Sequence, residues 1–213
     1  MDGDKGILWY YFRTIIHPVR TLSSFIGSNN HYKYGFIYIC IPIVGYTLMY
    51  VFLTIGNGAP SVFEPWLNIP KEHYYPINRF LLAPSLVMCW LLSAGTAQVI
   101  ARIFGGKGTY EETLSALALC ISIAMWGGLV HDLPMSLLSA LHVIDAREHE
   151  MAMNSATLWR TLLWICYSFY FLAFLILFPL CVKVVHKLSA LASTGIGIFS
   201  FIVFQITFLI FNR

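Results

Sequence analysis

Seven side chains able to ligate a metal or carry a proton crowd into residues 131–150: His131, Asp132, His142, Asp145, Glu148, His149 and Glu150. Imidazole and carboxylate are competent ligands for zinc or copper. If the segment is helical, a step of about 100° per residue puts His142, Asp145 and His149 within about 60° of one another. An i, i+3, i+7 set spreads along two turns, so joint ligation needs help from another element. A solvated polar helix face accounts for the same residues. The expectation is no resident metal or cofactor, with His142, Asp145 and His149 as the weak metal candidates.

Three other groupings invite chemistry. Gly105-Gly106-Lys107-Gly108-Thr109 superficially resembles a phosphate-binding loop, but Gly108 follows the lysine where Ser or Thr is needed, and no strand precedes it. The glycines suit a tight turn between two long elements, with Gly105, Gly106 and Gly108 supplying positive φ and Lys107 facing anionic headgroups. Glu111 and Glu112 stand where a helix begins, and the helix dipole favours acids there. Gln98 and Gln205 are the most polar side chains inside apolar stretches, suited to bonding between helices. Five cysteines show no C-x-x-C spacing, so neither a disulfide framework nor a zinc ribbon is indicated.

The elements that must position these groups are written in the hydropathy. Gly35–Gly56, Phe80–Ala101, Thr113–Val130, Thr161–Val182 and Leu188–Phe211 contain no Asp, Glu, Lys or Arg. A helix rises about 1.5 Å per residue, so roughly 20 residues match a hydrocarbon core of about 30 Å. The third stretch reaches that length once Glu111 and Glu112 sit among the headgroups. Only 11% of the 213 residues are charged, against about 25% in a soluble domain. Six Trp and 12 Tyr supply interfacial belts. The fold class that follows is all-α: a polytopic membrane protein, a bundle of five transmembrane helices with short amphipathic interfacial helices.

One domain is expected over residues 1–213. Residues 1–33 form a cytoplasmic interfacial segment divided by Pro18, aromatic and basic residues lying side by side. Asn57 to Arg79 reads as an irregular external loop, with Phe63, Trp66 and Leu67 dipping into the interface. Residues 131–157 read as an external loop carrying an amphipathic helix from Pro134 to about Met153, with Leu137, Leu141, Ile144 and Met151 on one face. Ala190, Thr194 and Gly197 make a small-residue edge that admits close helix approach. Lys and Arg number eight on the N-terminal side of the membrane and five on the other, which orients the chain N-in and C-out.

Several short runs resemble the Yip (Ypt-interacting protein) family of five-span membrane proteins. They are Ile15-Ile16-His17-Pro18-Val19-Arg20-Thr21-Leu22 ahead of the first stretch and the glycine-rich link Ala101 to Tyr110. Leu114-Ser115-Ala116-Leu117 opens the third stretch, which ends near Leu133-Pro134. Lys183-Val184-Val185-His186-Lys187-Leu188-Ser189 is similar to prokaryotic members. The resemblance implies no catalytic residues. Eukaryotic relatives act in vesicle traffic and bind Rab-type GTPases, partly through longer cytosolic N-terminal regions than residues 1–33 provide.

The functional expectation is a non-enzymatic scaffold, accessory subunit or membrane-organising factor, its partners the lipid bilayer and another membrane protein or a second copy. No basic run suits nucleic acid. A small transporter or channel is the alternative, built on Gln98, Gln205 and helices broken at Pro42, Pro84, Gly95 and Pro179. The expected location is a cell (plasma or inner) membrane, with an internal eukaryotic membrane as the other choice.

Overall fold

The computed structural model describes residues 5–60, 66, 67 and 69–212. Eight α-helices follow one another with no strand among these residues: α1 Ile7–Ile16, α2 Pro18–Ile26, α3 His31–Ile55, α4 Tyr74–Ile103, α5 Tyr110–Ala140, α6 Ala146–Ala152, α7 Leu158–His186 and α8 Ala190–Phe211. A short 3-10 turn, Lys71–His73, leads into α4. Helices α3, α4, α5, α7 and α8 are long and apolar enough to cross a membrane. They run unbroken through Pro42, Pro84, Pro134 and Pro179. Away from water a freed carbonyl gains nothing by opening the helix, so proline is carried inside it.

Pro18 separates α1 from α2. The residue before a proline is pushed out of the helical region, and His17 sits at φ −133°, ψ 63°. Pro18 then occupies the first turn of α2, where its missing N–H costs nothing. Helix α1 turns Tyr10, Tyr11 and Thr14 inward and leaves Leu8, Phe12, Ile15 and Ile16 exposed.

The chain divides into two compact units, each taking a segment from all five long helices. The first comprises residues 1–41, 89–124 and 172–205. Leu22, Phe25 and Tyr38 are fully buried there, and Tyr38 Oη donates to the Ile7 carbonyl at 2.8 Å. Tyr11 Oη donates to the Ser122 carbonyl at 3.1 Å, fixing α1 on α5. Trp90 Nε1 donates to the Leu114 carbonyl at 2.8 Å. Where α7 meets α8, Phe174 lies 5.0 Å from both Phe201 and Phe204. Gly197 presses against the backbone of Phe178 and Pro179, so only a residue without Cβ fits. Ala190 and Thr194 are exposed while Gly197 is buried, so the small-residue edge is shared between an outer and an inner face.

The second unit comprises residues 42–88, 125–171 and 206–213. Asn78 Nδ2 donates to Tyr74 Oη at 2.9 Å and to Asn212 Oδ1 at 3.2 Å. Asn212 Nδ2 donates onward to Ser85 Oγ at 3.0 Å. This amide ladder ties the end of α8 to α4. The N–H groups of Trp66 and Leu67 meet the Leu209 and Ile210 carbonyls, two of the acceptors a helix leaves unpaired at its C-terminus. Phe63 lies outside the described residues.

Two sequence boundaries require correction. Residues 74–79 belong to α4 rather than to the loop before it. The third span continues through His131, Asp132 and Pro134 to Ala140, and the helix expected from Pro134 to Met153 does not exist as one element. A turn at residues 141–144 separates α5 from α6, so Leu137 and Met151 lie on different helices. The physical reason is that Leu133, Met135, Leu137 and Leu138 remain apolar and the adjacent His131 and Asp132 pair with one another. Helix α5 is also the most enclosed span, 78% of its most apolar stretch being buried against 33–44% in the other four.

Glycine contacts give a direct test of the α5–α7 packing. A Cβ on Gly127 would come within 2.7 Å of Tyr170 Cα, whereas a Cβ on Gly95 meets nothing within 4 Å. Gly127→Val is expected to destabilise the protein by about 1–3 kcal/mol, and Gly95→Ala to be neutral or stabilising by up to about 1 kcal/mol. Thermal unfolding in detergent micelles measures both.

Candidate functional site

The glycine link between α4 and α5 is assembled by two local motifs. Gly105 adopts φ +81°. Its N–H bonds the Arg102 carbonyl at 3.0 Å, and the Gly106 N–H bonds the Ala101 carbonyl at 2.7 Å. This is the Schellman closure of a helix C-terminus, which wants glycine at the left-handed position. Thr109 and Glu112 then form a capping box: Thr109 N–H donates to Glu112 Oε2 at 2.8 Å and Glu112 N–H to Thr109 Oγ1 at 3.2 Å. Of the three glycines assigned positive φ from sequence, Gly105 alone has it among the described residues. Gly106 and Gly108 are glycine because His186 and Val185 of α7 press on them, with a Cβ on Gly106 reaching within 2.9 Å of His186 Cβ.

Gln98 belongs to this link rather than to the middle of a span. Its Nε2 donates to the Gly108 carbonyl at 3.1 Å and its Oε1 accepts from Thr113 Oγ1 at 2.7 Å. With Thr113 donating in that direction, His186 Nε2, 3.0 Å from the same oxygen, supplies the proton to it. Lys107 N–H bonds the His186 carbonyl at 3.2 Å. These contacts bind the link to the end of α7. Gln205 is half-buried on α8.

The second unit contains the richer chemistry. A cavity of about 70 Å³ is lined by α3, α5, the α6 region and α7, including Tyr46, His131, Asp132, Ser136, Ser139, His149, Glu150 and Tyr167. His131 Nδ1 lies 2.8 Å from Asp132 Oδ1. Facing a carboxylate, that nitrogen carries the proton and donates. Tyr167 Oη donates to Asp132 Oδ2 at 3.2 Å. The rings of His131 and His149 stack with centroids 5.8 Å apart, and Trp159 meets His149 edge-on at 5.9 Å. Glu150, 7% exposed, accepts from Tyr75 Oη at 2.7 Å. Asp132 stands eight residues before the end of α5, about 12 Å along the axis. An ionisable pair so far inside an apolar helix makes this the candidate functional position.

Of the seven groups singled out in the sequence, four therefore share this cavity: His131, Asp132, His149 and Glu150. His142 lies in the turn at φ +56°, and Asp145 caps α6 by accepting from the N–H groups of Arg147 and Glu148. The turn breaks the helical phase that placed His142, Asp145 and His149 on one face. Among the described residues no three His, Cys, Asp or Glu side chains gather as a metal site, so that candidate triad is not assembled. Two groups that sequence reasoning passed over, Tyr75 and Tyr167, complete the cluster. Their position near span ends was the available signal, since tyrosine places a polar tip beside an apolar wall.

A family model described as the Yip1 domain matches residues 12–211. No curated protein and no solved structure matches the chain.

Two outcomes follow from this geometry. Gln98→Leu, which removes both bonds across the link, is expected to lower stability by about 1 kcal/mol, read from unfolding in micelles. Burial, and then the neighbouring His131, hold the His149 imidazole below its ordinary range, against the opposing pull of Glu150 and Asp132. The unfolded chain thus takes up the proton more readily than the native one. Stability is full above the ordinary imidazole value of about 6.5 and falls as pH drops below it. His149→Gln should flatten that fall, measured as melting temperature against pH.

Proposed function

The chain belongs to the Yip1-domain family, and we propose that this multi-pass membrane protein acts without catalysis, as a scaffold, accessory subunit or membrane-organising factor. The observation carrying the reading is that several interior polar side chains are spent on bonds between helices within each unit: Gln98 to Thr113, Asn78 to Asn212, Tyr11 to the Ser122 backbone. Groups spent on holding helices together are not free to pass a solute. Outward faces offer the contact surface. On α7, Leu158, Leu162, Ile165 and Phe169 recur at alternating spacings of four and three and are all exposed. That is the seam spacing by which one helix lies along another. The partner is another membrane protein or a second copy. The Lys/Arg bias supports an N-in, C-out orientation in a cell membrane.

The transporter alternative draws support from the ionisable pair on α5, but not from broken helices, since the prolines sit inside continuous ones. Native mass measurement in nanodiscs separates the readings. A stable multimer or a co-purified membrane partner, weakened by Ile165→Ala with Phe169→Ala, is expected. A lone monomer that moves solute across liposomes, with transport abolished by Gln98→Leu, would overturn the contact reading.

A further inference from the structure

The end of the first unit where α3 and α5 begin and α4 and α7 finish carries charge that the fold itself does not use. Arg102 and Lys183 lie in the last turns of α4 and α7, and Lys107 and Lys187 in the connections that follow. Arg20 and Lys33 lie in the first turns of α2 and α3. All six are exposed, and none forms an ion pair among the described residues. His31 Nδ1, 2.8 Å from Ser115 Oγ, ties the start of α3 to that of α5, and Lys107 N–H ties the link to the end of α7. The acids of this unit among the described residues are Glu111 and Glu112, and Glu112 is engaged in capping α5. Helix electrostatics accounts for part of the pattern, because a cation in a last turn suits the dipole, as at Arg102 and Lys183. Arg20 and Lys33 stand where the dipole opposes a cation, and neither first turn holds an acid. Those two charges want an anion from outside the chain.

Beside these bases, α1 is apolar on two faces. Tyr10, Tyr11 and Thr14 turn to the protein, while Leu8, Phe12, Ile15 and Ile16 recur along an outward face and are exposed. Tyr11 Oη reaches the Ser122 carbonyl, twelve residues into α5 and about 18 Å along its axis. That depth sets the outward face among acyl chains, and the exposed Arg13 extends its stem from there toward the headgroups. We propose that the basic end of the first unit and the outward face of α1 together form a docking surface for anionic phospholipid, headgroups against the bases and acyl chains along α1. A zwitterionic headgroup brings its own cation and leaves the excess positive charge unanswered. A soluble anion has no chains for α1. An acidic protein reaches the bases but not a helix face sunk in the leaflet. The surface shares no residue with the α7 seam, so this inference and the contact reading fail separately.

The test places the full chain in nanodiscs of equimolar phosphatidylcholine and phosphatidylglycerol and counts, by native mass spectrometry, the lipids that stay on the released protein. Phosphatidylglycerol is expected to be retained about fivefold or more over phosphatidylcholine, the effect of one basic side chain near an anionic surface. Arg20→Gln with Lys33→Gln should lower that preference by about fivefold or more, whereas Arg160→Gln in the second unit should leave it intact. The double variant is expected to melt in neutral micelles no lower than the unaltered protein, since each lost charge was opposed by its helix dipole. Soluble glycerophosphoglycerol, which has the charge without the chains, should not displace the lipid. The comparison of the two lipids on the unaltered protein stands even if the double variant misfolds. Equal retention of both lipids would overturn the proposal and leave the basic end to an acidic protein. A folded double variant with undiminished preference, an equal loss in Arg160→Gln, or displacement by glycerophosphoglycerol would overturn it as well.

Discussion

A peptide group in hydrocarbon has no water to bond, so it must find its partner within the protein. Nearly every local feature of this chain is a response to that requirement. Long helices satisfy their own interiors, and prolines are absorbed instead of breaking them. The trouble concentrates at helix ends, where carbonyls and N–H groups run out of partners. There the chain spends its best polar residues. The Schellman closure at Gly105, the capping box of Thr109 and Glu112, and the Trp66 and Leu67 amides on the last turn of α8 each answer such an end.

Side chains extend the same logic between helices. Asn78, Asn212 and Ser85 form one chain of bonds, and Gln98, Thr113 and His186 another. Each such bond between membrane helices is worth only about 0.6–2 kcal/mol. Their value lies in fixing one arrangement among apolar surfaces that lipid solvates equally well. Glycine completes the device, because Gly127 and Gly197 let backbones approach where side chains would hold them apart. Ionisable groups follow the same rule: Asp132 pairs with His131 and Tyr167, and Glu150 with Tyr75.

The five spans were legible because each is an uninterrupted apolar run of bilayer length, a signal independent of packing. The end of the third span was not. Stopping a helix at the first ionisable residue ignores that His131 and Asp132 neutralise each other's cost and that the next two turns return to apolar side chains. The shared helical face of the weak candidates His142, Asp145 and His149 is not formed for a related reason: periodicity assumes an unbroken helix, and the turn carrying His142 resets the phase before His149. The clustering of His131, Asp132, His149 and Glu150 was visible only as nearness in sequence, since α6 must fold back to bring the last two to the first. Gly105 could be read locally as a turn residue. Gly106 and Gly108 could not, because what constrains them is Val185 and His186, far along the chain. The amide ladder of Asn78 and Asn212 was hidden for the same reason, each asparagine lying just outside a predicted span.

The claim on which the account turns is that α5 continues as one membrane-embedded helix through the His131–Asp132 pair to Ala140. Backbone hydrogen exchange in nanodiscs addresses it residue by residue. Protection sustained from Thr113 through the apolar turns after Pro134 to the capped amides of Leu141 and Val143, giving way to rapid exchange at Ile144, is the predicted pattern. Rapid exchange beginning at His131, with a separately protected helix from Pro134 to Met153, would contradict it.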